Sequence, residues 1–339
     1  MLRAGAALVV MTAHLRGLSL PAYGALPVSD KGMATALFYA VTRPGHPAVM
    51  VFFVLSGFLV GGQVLRHVRE GRFEILRYVV DRATRIFLPL FPALLLTALV
   101  SVSVGSVFPI QDVVAHIFAL NGVVTPTVRA NAPLWSLAYE IWFYVLMGCI
   151  GYAISQRSLP IWSFIGLGAT ALVFSVLEAQ YLLFWILGAL VAAYPLRSLW
   201  VAYAGLVAFT GGIFVSQMIS DGGPWVGYPT GPADAIICVG LAALLPALCH
   251  ERFNRFLEPA ARPIRGLSAM SYSLYIFHYP VLVYLSVNYM PRAPGLSGGG
   301  LISLILKGVA CFTACWIFYL LFERRTVAFR NRLNGTAAA

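Results

Sequence analysis

Long apolar stretches follow one another from one end of the chain to the other, separated by short clusters of charged residues, glycine and proline. Ten reach or approach the length of a membrane-spanning helix, about 20 residues for a hydrocarbon core of about 30 Å. They cover roughly 2–20, 47–65, 86–108, 134–154, 159–177, 180–196, 199–217, 234–249, 267–289 and 300–322. The run 112–124 is too short to cross and is expected to be re-entrant or interfacial. No stretch between spans is long enough to fold as a separate soluble domain. The pattern predicts an all-α polytopic bundle of about ten transmembrane helices, one domain over 1–323 with a short basic tail at 324–339. The first stretch is a span rather than a cleaved signal, because His14 and Arg16 interrupt its apolar run.

Composition agrees: 60% of residues are hydrophobic and 10% charged, outside the range of soluble domains. The net charge of +11 does not imply a nucleic-acid partner, because the basic residues follow the loops. With the N-terminus inside, Arg3, the six arginines from Arg66 to Arg85, Arg157, Arg197, the four from Arg252 to Arg265 and the four from Arg324 onward face the cytoplasm. Only Arg16, Lys31, Arg43, Arg129 and Arg292 lie on the outer side, and Lys307 falls within the last span. This positive-inside bias places both termini in the cytoplasm. The five cysteines lie in or at the ends of apolar segments, with no metal-ligand spacing and no disulfide framework. No metal and no permanently bound cofactor is expected.

Ionisable residues inside such spans mark function by default, because burying them in hydrocarbon costs several kcal/mol. Two stand out, His14 in the first span and Glu140 in Trp135-Ser136-Leu137-Ala138-Tyr139-Glu140-Ile141-Trp142-Phe143-Tyr144. Arg3 and His14 are eleven positions apart, three helical turns plus about 20°, so they share a face about 16 Å apart along the axis. That distance is comparable to the reach of a pantetheine arm. Measured from the outer ends of their spans, His14 and Glu140 both sit roughly 9 Å deep. They are expected to pair, either as a base with its supporting carboxylate or as a structural link between two helices.

Arg82 and Arg85, three apart ahead of the third span, are helix neighbours suited to phosphate, or else ordinary cytoplasmic anchors. Ser271-Tyr272-Ser273-Leu274-Tyr275-Ile276-Phe277-His278-Tyr279-Pro280 places Tyr275 and His278 on one face, and His278 mid-span. His46 sits at the outer mouth of the second span. Ser56 and Gly57 favour close helix packing over nucleophilic catalysis, and Glu323 reads as an interfacial structural ion. A transporter or flippase, with His14, Glu140 and His278 as a proton relay or substrate site, is the rival reading.

Taken in order, these segments resemble acyltransferase family 3 of membrane proteins. The resemblance rests on Arg3 through His14; on Val51-Phe52-Phe53-Val54-Leu55-Ser56-Gly57-Phe58; and on Arg82-Ala83-Thr84-Arg85-Ile86-Phe87-Leu88-Pro89. It continues through Trp135-Ser136-Leu137 with Glu140 and Phe143-Tyr144, and Ser271-Tyr272 through His278-Tyr279-Pro280. It implies transfer of an acyl group, commonly acetyl, from cytoplasmic acyl-CoA as co-substrate to a hydroxyl of a sugar or glycan-like acceptor. That chemistry belongs to O-acetylation of cell-envelope polysaccharides at the bacterial inner membrane. Carried over by position, His14 is the catalytic histidine and Glu140 the essential carboxylate, with Arg3, Arg82 and Arg85 as acyl-CoA contacts. Ser136, Tyr275, His278 and His46 are candidates for binding the acceptor or supporting the site. The lipid bilayer is the expected surround. The chain is expected to act alone, as a homo-oligomer, or by handing its acyl group to a partner protein.

Overall fold

A computed structural model describes residues 1–220, 226–250 and 258–333. Within them the chain is helical, with no strand beyond an isolated bridge between Asn121 and Thr125. The helices are α1 (Leu2–Ser19), α2 (Met33–Thr42), α3 (Gly45–Ser56), α4 (Gly62–Arg69), α5 (Ile75–Ser103), α6 (Ile110–Ile117), α7 (Trp135–Gln156) and α8 (Ile161–Phe174). They continue as α9 (Ala179–Ala193), α10 (Leu199–Ile219), α11 (Gly231–Leu248), α12 (Ala261–Ala269), α13 (Ser271–Asn288), α14 (Gly298–Leu321) and α15 (Thr326–Leu333). A π-helical turn, Gly57–Gly61, joins α3 to α4.

Each of the ten predicted spans has a helix at its place, but six helical stretches, not ten, are long and apolar enough to cross a membrane on length and composition alone. Helices α8 and α9 have 14 and 15 residues, about 21–23 Å at 1.5 Å per residue, short of a full hydrocarbon core. In α1 the polar residues Arg3, His14 and Arg16, and in α13 the tyrosines and His278, lower the mean hydropathy. These last two helices carry much of the chemistry predicted from the sequence. The run expected not to cross folds as the eight-residue α6, with His116 buried, followed by a turn with Asn121 buried. The described part of the basic tail is α15, which packs on α5 with Arg330 Nε 3.5 Å from Asp81 Oδ1. Arg252 and Arg255 of the basic loops, and residues 334–339 of the tail, lie outside the described residues.

Helix α3 is central, packed on α1, α9 and α11, while α13 packs on α1, α5 and α14. Lipid tails are as apolar as leucine, so close contact rather than hydrophobic burial holds such helices together. A Cβ on Gly57 would sit 1.9 Å from the Trp185 carbonyl oxygen, and one on Gly188 would sit 2.1 Å from that of Val54. The predicted packing role of the Ser56-Gly57 segment is thus observed as backbone-to-backbone approach of α3 and α9.

Proline shapes α13 in a second way. Pro280 has no N–H, so the Ile276 carbonyl four residues earlier lacks its helical donor. The Asn131 side-chain amide supplies one at 3.0 Å, and also donates to Thr97 Oγ1 at 3.1 Å. This ties the segment before α7, the 3-10 turn Arg129–Leu134, into the middle of α13. At the other end of α13, Glu323 Oε2 accepts from the Ser273 backbone N–H at 2.8 Å, a carboxylate on a helix N-terminus. Gly188→Ala is expected to force α3 and α9 apart and cost about 1–3 kcal/mol, as overpacking does. It should appear as a lower thermal midpoint in detergent, and an unchanged midpoint would contradict the close approach.

Candidate active site

The sequence-predicted residues gather around two cavities on either side of the bundle's middle. The first, of about 390 Å³, lies at the end of the bundle where α1 stops and α3 begins. His14, Arg16, Arg43, His46, Trp135 and Tyr275 are among its lining residues. His14 reaches it because α1 packs between α3 and α13. Its Nδ1 lies 2.9 Å from His278 Nε2, with the two rings stacked at 5.1 Å, and Tyr279 meets His14 edge-on at 5.0 Å.

The backbone assigns the protons of this dyad. His278 Nδ1 lies 2.8 Å from the Leu274 carbonyl oxygen, which can only accept, so Nδ1 carries the hydrogen. In the neutral pair His278 Nε2 is then an acceptor, and His14 Nδ1 donates to it. That leaves His14 Nε2 with its lone pair and without a hydrogen-bond partner among the described residues, on a residue that lines the cavity. A ring nitrogen in this state is what general-base chemistry requires. His278 itself is fully buried.

Around the dyad, Ser136 Oγ and Tyr275 OH are 2.6 Å apart, and Tyr275 OH donates to the Pro133 carbonyl at 3.0 Å. His46 Nε2 is 2.9 Å from Oδ2 of the fully buried Asp234, and its ring stacks on Trp135 at 6.3 Å.

The second cavity, of about 250 Å³, lies toward the opposite end and is lined by Arg3, Ser56, Arg82, Arg85, Glu140 and Tyr144, among others. Tyr144 OH donates to Glu140 Oε1, and Ser56 Oγ donates to the same oxygen at 3.4 Å. Ser56 in turn accepts from Trp185 Nε1 at 3.1 Å. Arg82 lies over the Tyr144 ring at 5.8 Å, and its Nε is buried with no hydrogen-bond partner among the described residues. Three guanidiniums around one carboxylate leave a net positive pocket suited to phosphate. A larger apolar cleft of about 720 Å³ between α1, α3, α10 and α11 adjoins it, sharing Arg3 and Leu59.

The expected His14–Glu140 pair does not form. His14 meets His278, and Glu140 meets Tyr144 and Ser56 in the other cavity. The error lies in the depth of α7, whose first turn does not mark the membrane boundary. The 3-10 turn Arg129–Leu134 precedes it inside the bundle, so Ser136 lies level with Tyr275 in the middle of α13. His278 is three residues from that level in one direction and Glu140 four in the other, which separates them by roughly 10 Å along the bundle.

Arg3, Arg82, Arg85 and Glu140 are brought together, and so are His14, His278, Tyr275, Ser136 and His46. Asp234 and Tyr144 were missed. Asp234 is an acidic residue at the start of an apolar span and was visible as such. Tyr144 stood in the Phe143-Tyr144 segment one turn after Glu140, but without a role of its own. Among the described residues no cluster suits a metal ion.

Comparison with curated proteins and with solved structures gave no match. The sequence family described as an acyltransferase domain matches residues 1–320. That range includes all of the residues lining the two polar cavities. With its apolar helices, this integral membrane protein is an acyltransferase and belongs to acyltransferase family 3.

Proposed function

We propose that the protein is a bacterial inner-membrane O-acyltransferase, moving an acetyl group from cytoplasmic acetyl-CoA to a hydroxyl of a carbohydrate-like acceptor on the outer side. The observation that carries this reading is the continuity of α1. It runs without a break from Arg3 in the basic cavity to His14 in the dyad cavity, about 16 Å by helical rise.

Arg3, Arg82 and Arg85 hold the phosphates of the donor at the cytoplasmic end. Glu140, held by Tyr144 and Ser56 in the cavity of the three arginines, offsets part of their charge and so serves the donor side rather than His14. Phe52 of the inner cavity and Tyr275 of the outer one meet edge-to-face at 5.5 Å, and the pantetheine arm passes this contact to bring its thioester to His14. His14 Nε2 takes the proton of the acceptor hydroxyl as its oxygen attacks the thioester carbonyl. The C–S bond then breaks, and the imidazolium returns the proton to the departing thiolate. His278 is a positioning residue that accepts from His14 Nδ1–H and holds the reactive tautomer. Of the relay through His14, Glu140 and His278 in the transport reading, the two histidines are hydrogen-bonded, but among the described residues no hydrogen bond links either of them to Glu140.

His14→Ala should lose transfer by about 10²–10⁴-fold, the usual worth of a general base, while still binding acetyl-CoA. Turnover near wild type would exclude the role. His278→Phe should lower kcat at unchanged KM for acetyl-CoA, with His278→Gln recovering part of it, since an amide oxygen can accept from Nδ1–H. Equal losses in the two variants would reduce His278 to a packing residue. Arg82→Ala should raise the acetyl-CoA concentration needed for thermal stabilisation by about ten- to hundredfold, the worth of a hydrogen bond to a charged group. No response of the wild type to acetyl-CoA or longer acyl-CoAs would remove the donor site altogether.

A further inference from the structure

The outer side of the chain carries few basic residues, as the topology rule requires, yet they are not scattered. Arg43 and Arg292 are electrostatic neighbours of Arg16, and Arg16 and Arg43 line the cavity of the His14–His278 dyad. Two of the three have backbone employment. Arg43 donates to the Gln217 carbonyl at 2.7 Å and to Ser220 Oγ, and Arg292 Nε donates to the Leu20 carbonyl at 2.9 Å.

Arg16 differs. Its guanidinium rests over the Tyr39 ring at 5.1 Å and hydrogen-bonds to the Tyr39 side chain, whose hydroxyl donates to the Pro21 carbonyl at 2.7 Å, so only part of its donor set is spent. Its Nε is buried without a hydrogen-bond partner, and among the described residues it has no ion pair. No carboxylate lines the cavity. A fixed, planar cation with unspent donors in a poorly solvated place is costly unless an oxyanion meets it. Arg16 lies two residues beyond His14, about 200° around the helix, yet both side chains line this cavity at the end of α1 and the Arg16 charge acts on the His14 imidazole. An anionic group there would lie within one sugar unit of a hydroxyl presented to His14 Nε2.

We propose that the acceptor is acidic: a sugar bearing a carboxylate or phosphate that docks on Arg16 while a neighbouring hydroxyl meets His14. This rests on the transferase reading. It narrows the acceptor from any hydroxyl compound to an oxyanion-bearing one.

The test uses the full chain in phosphatidylcholine nanodiscs, with methyl glucuronide, glucose 6-phosphate and neutral methyl glucoside as probes of thermal stability. Either anionic sugar should stabilise the wild type at a concentration about tenfold or more below that of the glucoside, as a charge-assisted contact implies. The preference should fall with added salt, vanish in Arg16→Gln and survive in Arg16→Lys. The acetyl-CoA response of each variant, read on the same sample, reports that it is folded. Equal responses to the three sugars, no response to either anion, or a preference that persists in Arg16→Gln would overturn the proposal. Arg16-dependent stabilisation by phosphatidylglycerol added to the discs, with none by the sugars, would assign the oxyanion to a lipid headgroup and overturn it too. A retained acetyl-CoA response alongside any of these failures rejects the acidic acceptor alone, whereas its loss in the wild type rejects the transferase reading.

Discussion

Helix α1 carries Arg3, His14 and Arg16 through a region where a charged or polar side chain facing lipid costs several kcal/mol. None of these side chains can be left to the hydrocarbon, so the helix must be enclosed where they project, and α3, α13 and α14 enclose it. Enclosure in turn requires that α3 be held firmly from its far side, which the glycine-mediated approach of α9 provides. The cavities are what remains where enclosure meets groups that must keep some access to polar surroundings. Much of the bundle follows from one helix whose ionisable residues cannot face outward.

The same enclosure divides the chemistry. Arginines lie at the end that the positive-inside bias assigns to the cytoplasm, where phosphate is available. His14, the base of the proposed reaction, lies toward the other end, with its proton assignment fixed by a helix carbonyl rather than by a carboxylate. A carboxylate beside His14 would hold the imidazolium more tightly and make it a poorer acid when the thiolate must be protonated. A second imidazole fixes the tautomer without adding charge to the middle of the membrane. Glu140 instead shares a cavity with three arginines, where Tyr144 and Ser56 hold it.

Much of this was legible in the sequence. Hydropathy alone placed a helix at each of ten positions, and helical period alone put Arg3 and His14 on one face. The short run after α5 was rightly denied a crossing. Depth was not legible. Counting from the end of an apolar run assumes that the run ends at the membrane surface, and Trp135 does not, because the segment carrying Asn131 and Pro133 folds back into the bundle ahead of it. Length and composition also misjudge spans, since α8 and α9 are short and α1 and α13 are diluted by the side chains that matter. Partner choice was the other blind spot. His14 could be matched by depth to more than one group, and only the packing of α1 on α13 selects His278.

In the proposed reaction, separation of the two cavities also bears on how a membrane stays sealed while an acyl group crosses it. The polar cavities share no lining residue, and Phe52 against Tyr275 stands between them. A continuous water-filled path past His14 and Glu140 would pass protons and ions along with the pantetheine arm, whereas an aromatic contact yields to a slender chain and closes behind it. Tyr275 is tied by its hydroxyl to Ser136 and to the Pro133 carbonyl, so in that reading the member of the pair to yield is Phe52, an apolar ring on α3 with no polar anchor to break. The glycine approach that fixes α3 lies one turn away. The helix is held where rigidity sets the position of the site, and the side chain is free where passage requires movement.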